Sequence, residues 1–295
     1  MLILDEKKIR KGRPLGLPYQ GSKKKISKKI IEIIKQNFGT DKMIYDVFGG
    51  GGAITAECLI NGLNVHYNDL DKDATDMFVK VISEDRNYIK SLLVSREEFL
   101  TIRDKDDKTV DDNLKLLVNS FGNNRKSYLY GKEHADIKYR LAIEIIRKHD
   151  TFSGYKQTDT WLNQYRELQQ LEQLERLQQL ERLEQLERLE QLERLQQLEQ
   201  LHITILDYRA FSEVEGAIFY LDPPYENTTH EGYKGYFDSK DFYDWGYEMS
   251  KKNIVLISSY EISDDRFKCV YEFKTARNTM QGGIGGKCEK LFMVN

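Results

Sequence analysis

Ile26, Ile30, Ile33, Ile34 and Phe38 recur at helical spacing and Gly39 follows them, so the pattern predicts a helix over residues 24–38. The apolar run 43–48 predicts a strand ending in Gly49, Gly50, Gly51 and Gly52, after which residues 53–60 read as a second helix. Residues 64–67 predict another strand, with Asn68, Asp69, Leu70 and Asp71 at its end and a helix over 74–81 beyond. Strand, glycine turn, helix, strand is the order of a doubly wound α/β sheet. From residue 95 to 165 charged and aromatic residues mix, and loops and helices are expected together. Strand character returns at 202–206, 217–221, 254–258, 270–273 and 291–294. The sheet begun near residue 43 therefore resumes near 202, with an insertion between.

Inside the insertion, leucine occupies every third position from Leu168 to Leu201, twelve in all, with Glu, Gln and Arg between them. These residues are strong helix formers. A step of three turns about 300° on a helix, however, so successive leucines drift around the circumference instead of forming a stripe. The spacing also misses the average of about 3.5 that a coiled-coil seam needs. The period favours a short β-solenoid over a long helix, each side of a triangular coil adding one leucine to a central column. Either form leaves apolar surface, which predicts self-association, a homodimer through the repeat.

Composition changes this picture little. At 295 residues with 40% hydrophobic content, the chain is long enough for one large domain with an insertion. Residues 166–201 hold nine Glu and five Arg, so the rest of the chain is close to neutral. Its positive charge is clustered: residues 7–13, then Lys23, Lys24, Lys25, Lys28 and Lys29, then Arg125, Lys126, Lys132 and Lys138. Such clusters suit phosphate contacts or simply solvated faces. Cys58, Cys269 and Cys288 form no CxxC pair, so neither a disulfide framework nor a zinc site is expected. Without a long apolar run or a signal-type N-terminus, a cytoplasmic setting and no membrane are expected.

Two places carry candidate chemistry. Gly49 to Gly52 lets backbone amides and a helix N-terminus approach a ligand, though a plain tight turn has the same sequence. It lacks the Lys-Ser/Thr ending of a P-loop, and Ile54 breaks a GxGxxG fingerprint. Asp69, at the next strand end, can accept ribose hydroxyls, which favours nucleoside binding. Asp69, Asp71 and Asp73 alternate, but Ala74 and Lys80 exclude an EF-hand, and Asp71 and Asp73 read as helix-start residues. The second place is Asp222, Pro223, Pro224 and Tyr225, directly after the strand 217–221. An adenine amino nitrogen is a poor nucleophile because its lone pair is delocalised. The Asp222 carboxylate and Pro223 carbonyl can accept its hydrogens, the prolines stiffen the backbone, and Tyr225 can stack on the base. A base so held must first leave the duplex.

With these residues the chain resembles the DNA adenine-N6 methyltransferases of the Dam-like D12 class, in their phage or prophage branch. The likeness includes YQGSK at 19–23, DVFGGGG at 46–52, YND at 67–69, NSFGNN at 119–124, LDYRAF at 206–211, LDPPY at 221–225 and EKLF at 289–292. It implies a Rossmann-like S-adenosylmethionine-dependent methyltransferase fold in two parts, 1–94 and 202–295. An inserted target-recognition region at 95–165 and the leucine triplet repeat at 166–201 separate them. It implies S-adenosylmethionine as cofactor, with S-adenosylhomocysteine as product and no metal. Tyr19, Lys23, Asp46, Phe48, Gly49, Gly51, Asp69, Asp207, Tyr208 and Asp222 match cofactor positions, and Asp222 to Tyr225 match the catalytic ones. Double-stranded DNA is the implied partner, with Asn124, Arg125 and Lys126 as contact candidates, and protection against restriction is a matching role. Cytosine-N4 or RNA amino methylation and a catalytically inactive phage DNA-binding protein are the alternatives. A nicotinamide dehydrogenase would leave Asp222 to Tyr225 unexplained.

Overall fold

The computed structural model describes residues 1–18, 22–170, 180–193, 201–226, 237–273 and 288–294. Its strands are β1 Ile44–Asp46, β2 Val65–Asn68, β3 Leu201–Thr204, β4 Ile218–Leu221, β5 Ile254–Ser259, β6 Phe267–Glu272 and β7 Lys290–Val294. Its helices are α1 Ser27–Phe38, α2 Ala53–Ile60, α3 Lys72–Ser83, α4 Arg86–Ser91, α5 Arg96–Arg103, α6 Val110–Asn119, α7 Lys132–His149, α8 Asp159–Gln170, α9 Glu181–Glu193 and α10 Ser239–Ser250. Two units divide the chain: Met1–Leu15 with Ser22–Thr75 and Gln197–Asn295, and Gly16–Gly21 with Asp76–Gln196. Among the described residues no helix is long and apolar enough to cross a membrane.

The first unit holds a seven-stranded sheet in the order β3-β2-β1-β4-β5-β7-β6. Five strands run parallel, and β7 lies antiparallel to both β5 and β6. Side chains alternate across it. Tyr45, Phe219, Leu221, Val255 and Ile257 point to one face and pack with Phe242 and Met249 of α10. Asp46 points to the other, where its carboxylate meets Thr55 of α2, and α2 packs on α1. Helices on both faces explain why β4 is buried at all four positions. The mixed α/β sheet expected from the alternating pattern is therefore present. Strand order reverses between β1 and β4, which places a crevice beyond their carboxyl ends, where doubly wound sheets take ligands.

Local chemistry sets the helix ends. Gly39 closes α1 with φ of 85°, a conformation that favours glycine. The pattern reading contains no helix between β4 and β5, yet α10 forms there. Asp238 caps it by accepting from the Lys240 and Asp241 amides, and Phe242, Tyr243, Gly246 and Met249 lie on its buried side. In the second unit Ser95 caps α5, while Thr109 and Asp112 form a reciprocal capping box on α6. Val94, Phe99, Ile102 and Leu116 make a small core there.

The solenoid expected for the leucine triplets does not form in the described part of the tract, which is helix α9, with residues 171–179 and 194–200 outside the described set. Leu180, Leu183, Leu186, Leu189 and Leu192 are all buried, at most 1% exposed. Helices α4 and α6 pack against α9, and no side chain described between residues 182 and 192 is exposed. The physical reason lies in the drift itself. Leucine on every side is wrong for a surface helix and right for a central one, and helix-forming residues without a corner glycine do the rest. For these five leucines the apolar surface that predicted self-association is covered within the chain. Arg182 is buried with them, its guanidinium over the rings of Tyr128 at 4.4 Å and Tyr130 at 4.8 Å, and its Nη1 donates to the Val94 carbonyl at 3.2 Å.

Truncating a leucine of this central helix leaves a cavity. Leu186→Ala is expected to lower unfolding free energy by about 2–5 kcal/mol in denaturant titrations. Gln191→Ala, on a half-buried position of the same helix, should stay within about 0.5 kcal/mol of the parent. Equal effects would contradict the burial of the leucine face.

Candidate active site

Three strand ends meet at Asn68, the last residue of β2, which is 1% exposed. Its Nδ2 donates to the carbonyls of Val47 and Leu206, both at 2.9 Å, and its Oδ1 accepts from the Leu206 amide at 2.9 Å and the Thr204 hydroxyl at 2.8 Å. One carboxamide thus uses both faces to tie the chain beyond β1, β2 and β3 together. The glycine turn is held beside it: the Gly49 amide donates to the Asn68 carbonyl at 2.8 Å, and the Tyr67 hydroxyl to the Gly50 carbonyl at 2.8 Å. A Cβ on Gly49 would stand 2.3 Å from the Tyr67 ring. The absent side chain at 49 therefore serves close packing within the protein. Gly52, with φ of 68°, opens α2.

Asp69 stands next to this turn. Its Oδ2 accepts from the Gly50 amide and its Oδ1 from the Asp71 amide, both at 2.7 Å. Burial pushes its carboxyl up to about 6, against the pull of these two amides. Each oxygen keeps a further lone pair, so the group can still accept from hydroxyls. Asp71 in turn accepts from the Asp73 amide at 3.0 Å, as a helix-start residue should. Asp46, by contrast, is turned to α2, its Oδ2 accepting from the Thr55 hydroxyl at 2.7 Å and amide at 3.1 Å. Burial raises it to about 7 despite those bonds.

At the end of β4 the backbone passes through the buried Pro223 and Pro224, and Asp222 and Tyr225 enter a charged cluster. Lys23 Nζ lies 2.7 Å from Asp222 Oδ2 and 3.7 Å from Glu289 Oε1, and 5.0 Å above the Tyr225 ring. The Tyr225 hydroxyl reaches Asp222 Oδ1 at 3.1 Å and also Glu289 Oε1, which accepts from Ser258 at 2.7 Å. Tyr260 packs edge-on against Tyr225 at 4.8 Å. Burial draws the Lys23 ammonium down, but Asp222 and Glu289 outweigh it, so its pKa is raised. Burial raises Asp222, Lys23 opposes this, and Glu289 adds to it. Both oxygens of Asp222 are engaged here.

The other expected site residues are spread more widely. Asp207 follows β3 with its side chain 46% exposed, and its Oδ1 accepts from the Arg209 amide at 2.9 Å. Tyr208 is buried among Phe48 at 6.2 Å, Phe242 at 5.4 Å and Trp245 at 5.0 Å. Gly51 is buried in the glycine turn, and Tyr19 lies outside the described residues. In the second unit Asn124 closes a tight turn by accepting from the Lys126 and Ser127 amides at 2.8 and 2.9 Å. Ser120 and Tyr128 bridge the base of this loop, Lys126 is exposed, and Phe121 is 66% exposed beside it. Sequence reasoning passed over Asn68, Ser258 and Glu289 as site residues. Asn68 and Glu289 each left a signal, as members of YND at 67–69 and EKLF at 289–292.

The family model of D12 class N6 adenine-specific DNA methyltransferases matches residues 19–271. The chain belongs to this family. As a member it is an adenine-specific DNA methyltransferase, and DNA is its substrate. Two solved structures resemble this methyltransferase at 9% identity. The yhhF protein of Escherichia coli, described as a candidate methyltransferase, has a TM-score of 0.36 over 96% of this chain and 91% of its own. HI0767 of Haemophilus influenzae, described as a candidate methylase, has a TM-score of 0.34 over 92% and 96%. A search of curated proteins returns no match.

The buried Asp46 of this methyltransferase yields a pH test. Its folded pKa, about 7, lies above the ordinary 3.8, so its contribution to stability is complete below about pH 4 and is lost as pH rises through 7. A tenfold difference in proton affinity between the folded and unfolded chain corresponds to about 1.4 kcal/mol. Asp46→Asn should therefore gain on the parent by a few kcal/mol between pH 4 and 8 in denaturant titrations, and parallel pH curves would rule out a buried, raised carboxyl.

Proposed function

We propose that this methyltransferase transfers a methyl group from S-adenosylmethionine to N6 of an adenine turned out of duplex DNA. The observation that carries the reading is the position of Asp222 and Tyr225. They stand at the carboxyl end of β4, at the point where strand order reverses, with a stiff diproline between them. Asp222 offers a carboxylate acceptor for an N6 hydrogen, the Pro223 carbonyl offers a second, and the Tyr225 ring offers a stacking face. Lys23 and Tyr225 each take one Asp222 oxygen, and each oxygen keeps a further lone pair to accept a hydrogen of the arriving amine.

The residues on the neighbouring strand ends fit a nucleoside-bearing cofactor by their donor and acceptor chemistry. Asp69 retains acceptor capacity for ribose hydroxyls beside the Gly49–Gly52 turn, and the half-exposed Asp207 can accept from an exocyclic amine. Phe48 and Tyr208 would give an apolar wall, while Lys23 and Tyr19 match the family's cofactor positions. When bound, the cofactor supplies an electrophilic methyl carbon; the protein's part is to hold the amine in line with it and to keep water out. Turning a base out of the duplex costs a few kcal/mol, which stacking and pocket contacts offset. Arg125 and Lys126 suit phosphate contact, and the exposed Phe121 suits contact with the faces of bases.

Modified-base sequencing of DNA from cells that express the chain should find N6-methyladenine within one short sequence context. The Asp222→Ala protein should reduce it at least about 100-fold. Unmodified DNA with the parent protein, or equal modification with both, would overturn the reading.

A further inference from the structure

The Tyr225 hydroxyl has one hydrogen and stands between two carboxylates, Asp222 Oδ1 at 3.1 Å and Glu289 Oε1. A third group links the same pair, since Lys23 Nζ lies 2.7 Å from Asp222 and 3.7 Å from Glu289. All three charged side chains are at most 17% exposed. Among the described residues one ammonium thus faces two carboxylates, which gives this largely buried group of three a net negative charge with room for one more proton. A hydroxyl bridging two carboxylates satisfies only one of them with its own hydrogen. A proton on the other completes the row Asp222, Tyr225, Glu289, each member donating to the next. Ser258 donates to Glu289 from the far side at 2.7 Å and fixes its orientation.

We propose that Glu289 is a positioning residue that receives a proton through Tyr225 when Asp222 takes the one released from the methylated amine. This rests on the adenine-N6 reading above. In the transfer the nitrogen lone pair forms the new C–N bond, the C–S bond of the sulfonium donor breaks with its electron pair left on sulfur, and the nitrogen then sheds one hydrogen. That proton passes to Asp222 Oδ1. Asp222 hands it to the Tyr225 oxygen, whose own proton moves to Glu289 Oε1, so Asp222 ends as a carboxylate still paired with Lys23. The raised pKa of Asp222, to which Glu289 contributes, agrees with a cluster that holds a proton readily.

The test compares Glu289→Gln, Tyr225→Phe and the double variant with the parent chain. Each single change should lower kcat about 10–100-fold while leaving KM for DNA and for S-adenosylmethionine within about threefold. The double variant should be no slower than the slower single one, because both interrupt one row. Removing the Glu289 charge lowers the Asp222 pKa, so the acid limb of the kcat profile should move to lower pH. A readout without turnover is the melting temperature of the ligand-free chain against pH. The parent loses stability as pH rises from about 4 through the raised Asp222 pKa, and Glu289→Gln should flatten that slope. Parental kcat in Glu289→Gln, losses that multiply in the double variant, or an unchanged slope would overturn the proposal. If Glu289→Gln melts too low to assay, Tyr225→Phe decides: kcat within about threefold of the parent's would overturn the relay, and a loss of about 10–100-fold supports it. A parent that leaves DNA unmethylated would overturn the adenine reading, while the ligand-free slope still reports whether Glu289 and Asp222 are linked.

Discussion

A single buried carboxamide sets the geometry on which the site depends. Asn68 holds the carbonyls of Val47 and Leu206 and receives the Leu206 amide and the Thr204 hydroxyl, so three strands end in a fixed relation. The residues that follow these ends are Phe48 and Gly49, Asp69, and Asp207. Their spacing is determined by the hydrogen bonds of one side chain. An amide suits this post because it donates and accepts without charge, and a carboxylate there would leave two carbonyls facing like partners.

Around that frame the described residues include more buried acid than base. Asp46, Asp69 and Asp222 are all raised by burial, and Lys23 pairs with Asp222 at the β4 end. Each such carboxylate costs stability at neutral pH. The excess agrees with the proposed function, in which the site accepts hydrogens from an amine and hydroxyls from a ribose, since acceptors are what those donors require. Preorganised acceptors in a poorly solvated place do more than the same groups in water.

Much of this was legible in the chain itself. The helix over 53–60 has the observed bounds of α2, and β1, β3 and β4 fall in short apolar runs that end in Gly49, Asp207 and Asp222, whereas β6 starts three residues before the expected 270. Long-range partnerships were not legible. Glu289 lies 64 residues from Tyr225 in sequence, and only the antiparallel return of β7 beside β5 brings them together. The Gly49 position looked like an open approach to a ligand, whereas the Tyr67 ring fills that space. Helix α10 was missed although Phe242, Tyr243 and Met249 sit at helical spacing, since aromatic and acidic residues crowd the pattern around them. In the leucine tract the period was read correctly and its surroundings were not: periodicity describes which faces are apolar, and only the neighbours decide how many faces may be.

That central helix has a symmetry that ordinary amphipathic helices lack. Advancing it by three residues, about 4.5 Å along its axis with a turn of about 60°, lays leucine upon leucine. Apolar packing alone therefore cannot say where along its groove the helix should stop. Arg182 breaks the tie, because a shift of three would bring Gln185 to the Tyr128 and Tyr130 rings in its place. A shift of six would bring Arg188 and restore the match. The tract thus behaves as a graduated scale on which one charge marks the setting, with the next equivalent mark about 9 Å away.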